Sequence, residues 1–136
     1  MSNGKSTKEL IKDGNYQEAM EQAEAEARHL VEKKLERTKI REYFCQIKEI
    51  ATELKAGKKT VDQAKVKLLK MKAKAAYDSK RQGVKGVDAL KPLIDVFVER
   101  VKNLRSNPEE FKKEVLGFCD FFECLVGYHY FHSAKE

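Results

Sequence analysis

The chain has 136 residues, 41% hydrophobic and 37% charged, with 28 Lys and Arg against 22 Asp and Glu for a net charge of +6. That length suits one domain with a proper apolar core, and no stretch approaches the run of about eighteen apolar residues that spans a membrane. The opening MSNGKSTKELIKDGNYQEAM has no apolar segment of the secretory kind, which predicts a cytoplasmic protein. Cys45, Cys119 and Cys124 follow no disulfide-framework spacing, and two prolines and seven glycines favour long helices over many short strands.

Residues 1–15 read as a flexible, polar N-terminus and residues 16–136 as one all-α domain, a bundle of about five helices. The first helix is predicted from Tyr16 to Glu36, where Ala19, Met20, Ala23, Ala27, Leu30 and Val31 recur at helical intervals. The second runs from Thr38 to Leu54. Its Ile40, Tyr43, Phe44, Ile47, Ile50, Ala51 and Leu54 fall on one third of the circumference, with Glu42, Glu49 and Glu53 opposite and Arg41, Lys48 and Lys55 on one flank.

AGKK at 56–59 breaks the pattern, and Thr60-Val61-Asp62-Gln63 has the form of a capping box. The third helix then extends to Gln82-Gly83. Val61, Ala64, Leu68, Met71 and Ala75 make its apolar stripe, widened by Leu69 and Ala76. Lys67, Lys70, Lys74 and Arg81 gather within about 60° on the far side, bordered by Tyr77. Lys65 and Lys72 fall inside the apolar arc and must snorkel at its edge. The fourth helix spans Val87 to Leu104, with Pro92 early enough to be tolerated. Asn107-Pro108-Glu109-Glu110 opens the fifth, which runs to His132 and holds seven of the twelve aromatic residues. Its apolar arc exceeds half the circumference, so it is either central in the bundle or offers one side to a partner.

Charge is unevenly spread. Residues 38–82 hold 13 basic and 5 acidic side chains, net +8, whereas the segments on either side are each net −1. Within 65–81 there are seven Lys or Arg and one acid, Asp78, a composition unbalanced by i,i+4 carboxylates. Such a stripe suits a phosphate backbone. The candidate nucleic-acid contacts are Lys39, Arg41, Lys48, Lys67, Lys70, Lys74, Lys80 and Arg81. An alternative is a stand-alone dimerisation or adaptor module whose stripe meets an acidic protein. No catalytic motif is found: GVKGVD lacks the length and ending of a P-loop, and carboxylates are scattered rather than paired. Neither an enzyme nor a cofactor is expected. Cys124, His129 and His132 are the most site-like group, but they read as ordinary packing rather than a metal centre; Cys45 reads as a surface thiol.

TKIREYF (38–44), LLKMKAKAAYDSKR (68–81) and LGFCDFFECLVGYHYFH (116–132) occur in an order and spacing that resembles the small subunit of type III-A (Csm-type) CRISPR–Cas effector complexes. The likeness covers the chain from Thr38 onward. Ala73 stands where the family tends to have proline, and Lys80 where it tends to have a small residue. The resemblance implies a non-catalytic helical bundle that stacks in several copies beside backbone and large subunits and contacts the guide–target RNA duplex through basic faces. It places Lys39, Arg41, Lys70, Lys72, Lys74 and Arg81 at the family's basic positions. Tyr77 is left with two roles, stacking on a base or packing between helices. Self-association through apolar helix faces is expected, a homodimer being one form it can take, and contact with RNA is expected to be sequence-tolerant.

Overall fold

The computed structural model describes residues 4–104 and 107–133. Among these the chain forms α1 (Thr7–Lys12), α2 (Tyr16–Glu21), α3 (Ala23–Glu32), α4 (Arg37–Lys55), α5 (Val61–Lys80), α6 (Val87–Val101) and α7 (Pro108–Ser133). No strand occurs among the described residues, as the all-α reading required. The capping box at Thr60 forms, with Thr60 Oγ1 accepting from the Gln63 amide at 3.1 Å and Gln63 Oε1 accepting from the Thr60 amide at 3.0 Å. Asn107 caps α7, its Oδ1 accepting from the Glu110 amide at 3.1 Å. With Ala73 in place of proline, α5 keeps an uninterrupted helix across its whole length.

The N-terminal segment differs from its expectation. Residues 1–3 lie outside the described residues, but 7–12 are helical, with a capping box between Ser6 and Glu9. Six residues cannot hold a helix alone. Leu10 and Ile11 are fully buried, so α1 is stabilised by docking against α6. The expected first helix is also divided. Gln22 leaves helical geometry, and its side chain reaches back to the N-terminal segment, donating to the Lys5 carbonyl at 3.2 Å and accepting from Thr7 Oγ1 at 3.1 Å. The helix stops at Glu32 rather than Glu36 because Lys34 turns left-handed at φ 71° and the Leu35 amide bonds back to Leu30 O. That is a Schellman ending with lysine in the place usually taken by glycine.

α7 is the central element. It packs against α2, α3, α4, α5 and α6 and buries Phe111, Val115, Phe118, Phe121, Phe122 and Leu125 completely. Phe118 stacks on Phe97 of α6 with ring centroids 4.0 Å apart, and meets Tyr16, Phe121 and Phe122 around its other edges. α2 crosses α7 at Gly117, where a Cβ would lie 2.6 Å from the Tyr16 ring. Of the two roles open to this helix, the core takes the greater part of its length; Tyr128, Tyr130 and Phe131 emerge at its end. The apolar stripe of α5 is narrower than read: Leu69 and Ala76 face solvent, while Ala64, Leu68, Met71 and Ala75 are buried.

Candidate nucleic-acid interface

α4 and α5 run antiparallel, and their seam is organised around one buried acid. Asp78 is 1% exposed. Its Oδ2 accepts from the Tyr43 hydroxyl at 2.6 Å and from Lys74 Nζ at 2.9 Å. Lys39 Nζ lies 3.8 Å from the same oxygen, and Arg81 Nη1 is 3.6 Å from Oδ1. Burial pushes the carboxyl up, but the hydrogen bonds from Tyr43 and Lys74 outweigh it and hold the group below the usual carboxylate range. Burial lowers the Lys74 ammonium in turn, and its bonds to Asp78 and Glu42 more than reverse this.

The acids of α4 are drawn into the same seam. Glu42 accepts from Lys74 at 3.1 Å and from Lys39 at 3.2 Å, and Lys67 sits 3.5 Å from both Glu49 and Glu53. Lys67 and Lys74 of α5 are therefore balanced across the helix pair, and Lys74 also by Asp78 four residues on. This corrects the reading of 65–81 as unbalanced at those two positions, while Lys70 and Lys80 stay without a carboxylate partner among the described residues. Lys65 and Lys72 snorkel as expected, toward α6: Lys65 donates to the Lys102 carbonyl at 3.2 Å and Lys72 pairs with Glu99 at 3.5 Å.

One continuous cationic surface across α4 and α5 does not form. At 100° per residue Arg41, Lys48 and Lys55 lie on the flank of α4 away from α5, with Glu42, Glu49 and Glu53 between the two groups. Lys48 stands 5.7 Å over the Phe44 ring, which faces Phe122 of α7. Of the eight candidate residues, Lys39, Lys67, Lys74 and Arg81 join the seam, while Arg41, Lys48, Lys70 and Lys80 have no carboxylate partner among the described residues.

A family model described as Csm2 Type III-A matches residues 13–135. The chain belongs to that family. The match spans nearly all of the bundle, including the stretch before Thr38, where no single motif carries the likeness. No curated protein and no solved structure matches the chain significantly.

This Csm2-family bundle carries further cations that sequence reading missed. Lys34, Arg37 and Lys85 line an open groove of about 690 Å³ at the end of the bundle where α4 begins, together with Thr38 and Ser133. Arg37 is held in place there, its Nε donating to Ser133 Oγ at 2.7 Å and its guanidinium 3.9 Å over the Tyr130 ring. All three come from the segments of net −1 charge on either side of the basic middle, so counting charge by segment hid them. Gly86 lets the 83–86 loop approach: it is left-handed at φ 85°, and a Cβ there would meet the Leu35 backbone at 2.5 Å.

The outward face of α5 presents Val66, Leu69, Lys70, Ala73, Ala76, Tyr77 and Lys80 to solvent. Tyr77 is 66% exposed, so it does not pack between helices of its own bundle. The C-terminal group stays apart from that face. His129 is buried, its Nε2 2.8 Å from the Leu35 carbonyl, and burial lowers its pKa. His132 reaches Glu24 at 2.9 Å. Cys124 and Cys119 are half-buried with thiols pushed up by burial, and Cys45 is exposed. No group of three metal-ligating side chains occurs among the described residues, and no described helix is long and apolar enough to cross a membrane.

Proposed function

We propose that this Csm2-family chain is the non-catalytic small subunit of a cytoplasmic type III-A effector complex, stacking in several copies beside the backbone and large subunits and touching guide and target RNA through their phosphates. Family membership over residues 13–135 supports the place in the complex. What supports the RNA contact is the set of exposed cations with no carboxylate partner among the described residues, Arg41, Lys48, Lys70 and Lys80. Lys39, Lys67, Lys74 and Arg81 contribute less in this reading, because their charge is already balanced by Asp78 and the acids of α4. Exposed apolar side chains at Val66, Leu69 and Phe131 suit contacts with protein neighbours.

The test is RNA affinity across a salt series, for the full chain alone and assembled with its partner subunits. Arg41→Glu, Lys70→Glu and Lys80→Glu together lower affinity about tenfold or more and reduce the magnitude of the salt slope, by about 0.7 for each single-strand phosphate that no longer meets a cation. Lys67→Glu has the smaller effect. Affinity that ignores salt, or a triple variant that binds as the wild type does in both settings, overturns the reading.

A further inference from the structure

Tyr77 has the largest fractional exposure of any large apolar side chain among the described residues, at 66%, and it stands on a helix face of unusual composition. From Val66 to Lys80 the outward arc of α5 contains no carboxylate, since Asp78 points inward and is buried. Lys70 and Lys80 are unpaired among the described residues, and the Arg81 guanidinium lies 5.7 Å from the centre of the Tyr77 ring. The ring thus has cations before and after it along the helix; Arg81 stands over one face, and the remainder of the 66% exposed ring is open to a ligand.

We propose that Tyr77 is a stacking platform for one unpaired base of an RNA strand whose neighbouring phosphates are held by Lys70 on one side and by Lys80 on the other. This rests on the RNA reading above and sharpens it, from backbone contact alone to a site that distinguishes single strand from duplex. The spacing fits. Lys70 lies seven residues before Tyr77 and Lys80 three after it, roughly 10 Å and 4.5 Å along the axis, so a strand running along α5 meets a cation, the ring and a cation in turn. Base stacking on an aromatic ring tolerates any base, because every base offers a π-face, which keeps the contact sequence-tolerant. A duplex interior offers no free base face. The charge argues against an apolar protein groove as occupant. Val66 and Leu69 are about 12 Å or more along the helix from Tyr77, and the side chains closest to Tyr77 along the outward face are Ala73, Ala76, Lys80 and Arg81, a face suited to a polyanion.

The chain contains no tryptophan, so Tyr77→Trp introduces a single reporter at the site. With the full chain, a single-stranded oligonucleotide and a perfect duplex of the same length serve as probes. Tyr77→Ala lowers affinity for the single strand about tenfold, leaves the salt slope unchanged, and leaves duplex affinity within twofold. Tyr77→Trp retains single-strand affinity, and its fluorescence is quenched on binding. Lys70→Glu with Lys80→Glu changes the slope instead. Wild-type binding by Tyr77→Ala, an equal drop on both probes, or a tryptophan whose emission ignores RNA overturns the stacking site. So does a Tyr77→Ala variant that binds RNA normally but changes association state in sedimentation, which would make the ring a protein contact. If the lysine variant is also without effect, the RNA reading itself fails; if only the tyrosine variant is, the stacking site alone fails.

Discussion

Two buried carboxylates tie the helices together, and each shows how a charge is kept away from water. Asp78 joins α5 to Tyr43 and Lys39 of α4. Glu114 of α7 accepts from the Tyr16 hydroxyl of α2 at 2.6 Å and from Arg100 of α6 at 2.8 and 2.9 Å, a two-pronged ion pair. Arg100 also donates to the Lys12 carbonyl at 3.0 Å, so this one cluster holds α1, α2, α6 and α7. Tyr43→Phe removes a hydrogen bond to a buried charge and is expected to cost about 1.5–3 kcal/mol in urea unfolding. Arg100→Met strands Glu114 with a single partner and costs about 3 kcal/mol. Adding Glu114→Leu recovers part of that deficit, because the double variant leaves no unpaired buried charge; a double variant no more stable than Arg100→Met contradicts this account. Sequence showed Asp78 as the one acid in a basic run, but nothing local revealed that it turns inward.

His129 sets a pH dependence at the same scale. Burial lowers its folded pKa, so the folded state binds fewer protons than the unfolded chain. Stability is therefore full above the unfolded value of about 6.5 and falls as pH drops through it. The urea midpoint should decrease between pH 7.5 and pH 5.5, and His129→Gln should flatten that decrease. The depressed carboxyls of Asp78 and Glu114 act later, with stability lost only as pH falls below about 4.

Among the elements, those with strong periods and side-chain caps are legible in sequence, and those held by docking are not. α4 to α7 follow their apolar spacing and the caps at Thr60 and Asn107 within a few residues. α1 escapes such a reading because two buried apolar residues in a six-residue helix make no period. The stop of α3 escapes it because the expected glycine is absent. Lys34→Gly relieves the left-handed lysine and should stabilise the protein by about 0.5–1 kcal/mol in thermal unfolding; destabilisation would mean that the Lys34 side chain supplies more than its backbone costs. Gly117→Ala should act the other way, by about 1–3 kcal/mol, because its Cβ meets the Tyr16 ring.

Over the whole molecule, the net charge and its concentration in residues 38–82 could be counted directly, but the balance of that charge could not. α4 turns Glu42, Glu49 and Glu53 toward the lysines of α5 and leaves Arg41 and Lys48 beyond them. The folded chain should accordingly show a weaker salt dependence of RNA affinity than its net +8 segment suggests. Charge reversal at Glu42 and Glu49 to lysine should steepen the dependence and raise affinity by severalfold; no change would mean that these acids do not screen the face.

An all-helical chain, the course of its long helices and its family can be read from the residues in order, because hydropathy period, capping residues and motif order are local properties. Which lysines are already paired, which acid is buried, and that Tyr77 faces outward emerge only once the bundle is packed. Those outcomes depend on how far each helix rotates about its own axis when α7 fills the centre, and no single helix carries that information.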